Sequence, residues 1–426
     1  MRIQKHDEVF AKAARRLIPF MVALYTVSFL DRVNISFAAL TMNQDLSFTP
    51  EIYGWGAGIF FVGYFLFEVP SNVILTRVGA RRWICRIMAT WGVISASYAF
   101  IDGPTTYYIL RFLLGLAEAG FAPGMIFYLS LWFPSALRAR YAASYFVAIP
   151  MANVIGGPIS GLILQLDGAY GLHGWQLLFL IEALPALGLA AAVFFFLPDG
   201  PEDARWLSEK ERATIAAALA AEKTEAHEQI HRVWPALADP RVLLLCAVYF
   251  AIVVGLYGIT FWLPQIVQAM GFSNIATSFI VAVPYAVAAV AMIAWGHHSD
   301  KTGERVWHVA LASLLGALGF GLSAALQSPL LELIALGLVA VSVCSTLAPF
   351  WAMPPMFLVG TGAASGIALI NAVGNLGGVV GPYAVGWALQ ATGGYEGGMA
   401  ILSVFMALSA ALVLAMGRFR RLALAT

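Results

Sequence analysis

The chain has 426 residues, of which 61% are hydrophobic and only 11% charged, and its mean hydropathy is +0.81. Soluble domains carry about 25% charged residues, so this composition leaves too little polar surface to cover a water-soluble globule. A formal net charge of +1 argues against a nucleic-acid partner.

The N-terminal stretch Met1 to Phe20 is charged and lacks a cleavage-site pattern, so the first apolar run reads as a retained span. A run of roughly 20 apolar residues crosses a hydrocarbon core about 30 Å thick. Six such runs lie near 17–40, 54–76, 83–101, 106–131, 139–164 and 175–197. A charged stretch, 198–240, follows, in which Ser208-Glu209-Lys210-Glu211 predicts a capping box opening a short Ala-rich helix. Six more runs lie near 241–264, 275–298, 306–327, 330–351, 363–389 and 396–417. The three cysteines, Cys85, Cys246 and Cys344, all fall inside apolar runs and read as buried thiols rather than a disulfide or metal framework.

Charge placement predicts the orientation. With both termini in the cytoplasm, 22 of the 24 Lys and Arg residues fall in the tails and cytoplasmic loops and none in the loops opposite. The other two, Arg32 and Arg111, lie within spans. The two halves also repeat. Arg77-Val78-Gly79-Ala80-Arg81 and Lys301-Thr302-Gly303-Glu304-Arg305 are 224 residues apart, as are Gly157-Pro158 and Gly381-Pro382. A parallel six-plus-six repeat predicts an all-α membrane protein of twelve transmembrane helices, the major facilitator fold. Its halves would be 1–197 and 241–426, joined by the cytoplasmic stretch 198–240, with substrate at mid-membrane between them.

Ionisable side chains inside a bilayer are costly and mark function. Only Asp31, Arg32, Arg111, Glu118 and Glu182 sit deep in spans. At 1.5 Å per residue, Asp31 and Arg32 lie about 12–14 Å below the outer face, Arg111 about 8 Å and Glu118 about 18 Å. Arg111 and Glu118, seven residues apart, share a helix face. Two cations and two carboxylates are therefore expected to meet in one cavity. Arg32 offers a planar fork suited to a carboxylate substrate, with Asp31 and Glu118 as the proton-coupling pair and Arg111 as the ion-pair partner of Glu118. The alternative is a set of salt bridges that fix packing and gating. Glu182 reads as an inter-helix polar contact in preference to a second proton site, and His173, His297, His298 and His308 as solvated or headgroup-facing. Tyr64, at matching depth, and Asn371 and Asn375, on one face of span 11, are candidate pocket residues. Trp351 closes span 10, and Asn375 has the further reading of a helix-to-helix hydrogen bond.

Several stretches carry a family resemblance: Phe29 to Leu40 (FLDRVNISFAAL), Gly58 to Asn72 (GIFFVGYFLFEVPSN), Arg111 to Gly124 (RFLLGLAEAGFAPG), Trp132-Phe133-Pro134 and Gly174-Trp175-Gln176. In these the chain resembles the anion:cation symporter family, densely in the N-terminal half. Ala148 to Asn153 and Ile155 to Gly161 look like the bacterial tartrate-type, sugar-acid and aromatic carboxylate permeases. The resemblance implies roles in binding and proton coupling for Arg32, Asp31 and Glu118, and binding-site positions for Tyr64, Trp351 and Asn371. The chain departs from the general facilitator loop motif at Asn72 and Thr76, where Gly and Asp are usual. Its second copy, with Gly296, Asp300, Lys301, Gly303 and Arg305, is nearly complete. Arg77, Arg81, Asp300 and Arg305 are the expected gate residues, with Glu68 supplying the charge missing from the first copy.

No Walker motif, metal cluster or catalytic triad is visible, so no cofactor is expected and the energy must come from an ion gradient. The expected function is proton-coupled symport of a small organic anion, a tartrate-like dicarboxylate or sugar acid, by a monomer in the bacterial inner membrane. An anion exchanger, an aromatic-carboxylate transporter, a drug/proton antiporter and sodium in place of the proton are the alternatives.

Overall fold

The computed structural model describes residues 2–134, 137, 147–228, 238–358 and 360–423. Among them are fifteen α-helices: α1 (Arg2–Asp45), α2 (Pro50–Val78), α3 (Ala80–Ser97), α4 (Pro104–Glu118), α5 (Phe121–Ser130), α6 (Ala148–Leu164), α7 (Gly174–Phe196), α8 (Glu209–Glu228), α9 (Pro240–Ala269), α10 (Asn274–Thr302), α11 (Val306–Ala325), α12 (Pro329–Trp351), α13 (Gly360–Asn375), α14 (Gly377–Thr392) and α15 (Glu396–Ala423). Ten spans among the described residues are long and apolar enough to cross a membrane, with α4–α5 and α13–α14 each making one. The shorter α3 and α6 complete the twelve; the expected start of the fifth span, 139–146, lies outside the described residues.

Local chemistry explains the ends. Proline opens α2, α4, α9 and α12, where its missing N–H costs nothing. Thr49 and Ser273 cap α2 and α10 by accepting from Ile52 N at 3.2 Å and Ala276 N at 3.3 Å. These two helices start and stop 224 residues apart at both ends, so the loop-motif repeat extends to whole elements. The predicted capping box is present: Ser208 N donates to Glu211 Oε2 at 2.8 Å and Glu211 N to Ser208 Oγ at 3.3 Å. Two expected continuous spans are interrupted. The fourth breaks at Ala119-Gly120, where Gly120 has φ +82° and any Cβ would stand 2.3 Å from Ser71 Oγ. The eleventh breaks at Leu376.

The first and last six spans meet at the end of the molecule away from the termini. There α2 packs on α14 and α6 on α10. Glycine permits this approach: a Cβ at Gly54 would lie 2.6 Å from Pro382 O, and one at Gly157 2.7 Å from Ser278 O. Polar bonds seal the same end. Tyr53 Oη donates to Phe261 O (2.8 Å), Asn43 Nδ2 to Gln265 Oε1 (3.1 Å) and Gln268 Nε2 to Leu40 O (3.0 Å). At the terminal end, Lys12 of α1 is tied to Glu211 of α8 at 2.8 Å.

Candidate functional site

The site grows from α1 and the broken fourth span. Glu118 is the last residue of α4, and the break at Gly120 frees the chain from straight continuation just beyond it. Interrupted helices of this kind are where transporters place polar groups at mid-membrane. Arg32 of α1 donates from Nε to Glu118 Oε2 at 3.2 Å, and its Nη2 binds the same oxygen. Its Nη1 donates to Tyr257 Oη on α9 at 3.0 Å. Arg32 is 7% exposed and Glu118 fully buried. The guanidinium lies over the rings of Phe29, Phe60 and Tyr64, 5.1–5.4 Å from each centroid, an aromatic cage that stabilises a cation removed from water. A guanidinium has five N–H donors, and three are spent here. Glu118 Oε1 has no partner among the described residues. One cation is thus held by a carboxylate of the first six spans and a phenol of the last six.

The expected four-residue cavity is not formed. Asp31 is adjacent to Arg32 in the chain, and one residue turns a helix by about 100°. Asp31 therefore faces α3, where its Oδ1 accepts from Ser95 Oγ at 2.6 Å and from Asn34 Nδ2 at 3.2 Å. It is within electrostatic reach of Glu118 but shares no hydrogen-bond partner with it. Nor is Arg111 the ion-pair partner of Glu118. It donates to the carbonyls of Gly56 (3.1 Å) and Ala57 (3.0 Å), with its charge over Phe60 and Phe261. The seven-residue spacing does put Arg111 on the α2-facing side of α4. There the helices nearly touch, since a Cβ at Gly115 would be 1.9 Å from Phe60 O, and the α2 carbonyls take the arginine first.

Glu68 also differs from expectation. It is 4% exposed, accepts from Asn371 Nδ2 of α13 at 2.6 Å, and pairs with neither Arg77 nor Arg81 among the described residues. It links the halves one turn below Tyr64 instead of completing a loop motif. Trp351 packs edge-on against Tyr249, ring centroids 4.9 Å apart, and Gly374 presses on the same tyrosine. Asn375 follows at the end of α13, half-buried. Tyr64 thus borders Arg32, Asn371 bonds Glu68 one turn further along α2, and Trp351 packs on Tyr249.

The gate residues Arg81, Asp300 and Arg305 pair locally. Arg81 N donates to Asp199 Oδ1 at 2.8 Å and its Nε lies 3.4 Å from Oδ2; Arg305 binds Asp300 and Ser299, both at 2.7 Å. Arg77 is exposed. His308 is not headgroup-facing: it is 7% exposed, 2.8 Å from His298 Nδ1 and 2.9 Å from Glu304 Oε2. Hydrogen bonds from the backbone of Trp307 and His308 and from the His308 ring hold the Glu304 carboxyl below its ordinary range, against the opposing effect of burial.

Two aromatic residues escaped the sequence reading. Tyr257 holds Arg32, and Tyr249 anchors Trp351. Both are visible in the repeat: the 224-residue offset carries Tyr25 to Tyr249 and Val33, the neighbour of Arg32, to Tyr257.

Residues 21–366 match the Major Facilitator Superfamily. The chain belongs to that superfamily. Among curated facilitators, a protein of Agrobacterium vitis named "Putative tartrate transporter" is 52% identical over 96% of this chain and 91% of its own length. A "Quinolone resistance transporter" of Acinetobacter baumannii is 41% identical over 94% of this chain and 92% of its own. Among solved structures, a bacterial homologue of the human lysosomal transporter Spinster, in an inward-facing and occupied conformation, superposes with a TM-score of 0.76. It has 16% identity and covers 94% of this chain and 96% of that one, which identifies the twelve-helix facilitator fold.

Proposed function

We propose that this facilitator is a symporter that carries a small organic anion, a tartrate-like hydroxylated dicarboxylate or a sugar acid, together with protons across the bacterial cytoplasmic membrane. The observation that carries the reading is the shared guanidinium: Arg32 is caged by aromatic rings and held at once by Glu118 and by Tyr257 of the opposite half. A carboxylate substrate entering from the terminal end takes the fork of Arg32 and displaces Glu118. Leaving a buried carboxylate without its partner costs about 3–5 kcal/mol, so Glu118 takes up a proton as the anion binds. Anion and proton then favour each other, and linkage makes the effect reciprocal. Asp31 is the second proton-coupling residue.

The remaining features fit alternating access. Tyr64, Trp351, Asn371 and Asn375 supply ring surface and amide donors for hydroxyls and a second carboxylate. The tight helix contacts between halves, α2 on α14 and α6 on α10, lie toward the end away from the termini, with Arg32–Tyr257 and Glu68–Asn371 as polar links further in, and Arg81, Asp300 and Arg305 hold local partners, free to exchange when the terminal end closes. The one-sided Lys and Arg distribution supports both termini lying in the cytoplasm. The protein works as a monomer, without cofactor.

The tartrate-named relative supports this cargo. The quinolone-resistance relative favours a second reading, drug/proton antiport, which a caged arginine with unspent donors suits poorly for cationic cargo. Purified protein in proteoliposomes separates them. Symport predicts L-tartrate accumulation driven by an inwardly directed proton gradient and abolished by Arg32→Ala; accumulation indifferent to the gradient, or driven by the opposite gradient, refutes it.

A further inference from the structure

The last six spans hold a groove whose counterpart in the first six is filled. Helices α10 and α11 both pack on α12 but meet each other mainly at the terminal end, where Trp295 Nε1 donates to His308 O at 3.1 Å. Beyond that contact a cavity of about 280 Å³ opens between them, lined by Ala291 and Trp295 of α10, Leu311, Ala312 and Leu315 of α11, and Ser345 of α12. Ser342 Oγ, on its floor, is turned to Ala312 O at 2.5 Å, so the groove presents mostly carbon.

The repeat shows where the space comes from. The 224-residue offset carries Phe67, Met88, Trp91 and Phe121 to Ala291, Ala312, Leu315 and Ser345. In the first half Met88, Trp91 and Phe121 are 0–1% exposed, and Trp91 meets Phe121 edge-on, ring centroids 5.0 Å apart. There the chain plugs the place with its own side chains. In the second half four smaller residues leave it open.

The location names the filler. Leu311 on the rim is 49% exposed, and Val290, Ile293 and Leu314 beside it are 70%, 56% and 44% exposed. All four lie in membrane spans, so hydrocarbon and not water meets the rim. An empty groove forfeits dispersion contacts along its walls, and water inside it would lack polar partners. Ala291 stands ten residues before Lys301, an exposed cation near the end of α10. At 1.5 Å per residue this is about 15 Å, half of a hydrocarbon core about 30 Å thick. The groove therefore runs within one leaflet, the one on the terminal side, and Lys301 and the exposed Trp307 mark its headgroup level.

We propose that this groove binds one acyl chain of a phospholipid from that leaflet, a resident lipid that fills the last six spans as Trp91 and Phe121 fill the first. The test needs no cargo. The full chain is placed in nanodiscs of phosphatidylethanolamine and phosphatidylglycerol, with a tracer phosphatidylglycerol that carries a diazirine near the end of one acyl chain. After illumination, peptide mass spectrometry is expected to find label at Ala291, Leu311 and Leu315 several-fold above that at Val404, a 67% exposed residue of α15. Ala291→Phe and Leu315→Trp restore the first-half side chains. Each should lower the label at the remaining groove positions several-fold and leave Val404 as it was. Either variant serves if the other does not fold, and the wild-type ratio decides by itself if neither does. Groove label no higher than at Val404 in the wild type, or undiminished in a folded variant, would overturn the proposal.

Discussion

Replacing Glu118 by Gln removes a buried negative charge while keeping the shape that meets Arg32. In the wild type, an anion that takes the guanidinium must strand Glu118 or protonate it. The contact involves Nε and Nη2 on one carboxylate oxygen, both partners being nearly or fully buried. The lower bound for breaking such a pair is about 3 kcal/mol, or about a hundredfold in affinity, felt wherever Glu118 is ionised. Glu118→Gln abolishes that penalty. Its affinity for L-tartrate, measured by calorimetry in detergent, is expected to lose its pH dependence and to exceed the wild type at alkaline pH by about that hundredfold factor. Counterflow in proteoliposomes persists, whereas accumulation against a gradient falls because the proton exchanged at Glu118 is no longer carried, Asp31 alone remaining. A variant that is monodisperse yet keeps the wild-type pH dependence, or accumulates cargo as fully as the wild type, would refute the competition between Glu118 and substrate for Arg32.

Tyr257→Phe removes the acceptor 3.0 Å from Arg32 Nη1; a hydrogen bond to a charged group contributes about 1.5–3 kcal/mol, so L-tartrate affinity should change at least about tenfold, and an unchanged KM would exclude Tyr257 from the site. Gly54→Leu drives a side chain into Pro382 O, 2.6 Å from the Cβ position. Overpacking costs about 1–3 kcal/mol, and thiol labelling of Asn43→Cys at the sealed end, in a background lacking the three native cysteines, should rise several-fold. Glu211 is held down to about 2 by Lys12 and by the Ser208 N–H. A depressed carboxyl contributes above its unfolded pKa and fades as pH falls through the folded one, so spin-label mobility at the α1 tail should stay low at pH 5 and rise toward pH 2. Lys12→Ala should show the higher mobility at both.

The fold was legible because it depends on one-dimensional properties. Apolar run length and the 224-residue offset mark twelve spans and their two-fold relation, and the offset holds to the residue at both ends of α2 and α10. All five charges expected inside spans lie within described helices. The breaks at Gly120 and Leu376 were not legible, because glycine is frequent in membrane helices and only the packing against Ser71 shows which one leaves the helical region.

Hydropathy and spacing alone determine that charged groups of both signs are sunk in the first half, in spans 1, 4 and 6. Which of them touch is decided by helix rotation and approach, to which hydropathy is blind. Adjacent residues on one helix point about 100° apart, so Asp31 turns to Ser95 while Arg32 turns to Glu118. Close packing of α2 on α4 gives Arg111 backbone carbonyls as partners, and the meeting of the halves gives Glu68 an amide from α13. A pairing resolved over some 3 Å requires the relative orientation of two cylinders, and that orientation follows from every contact between them together.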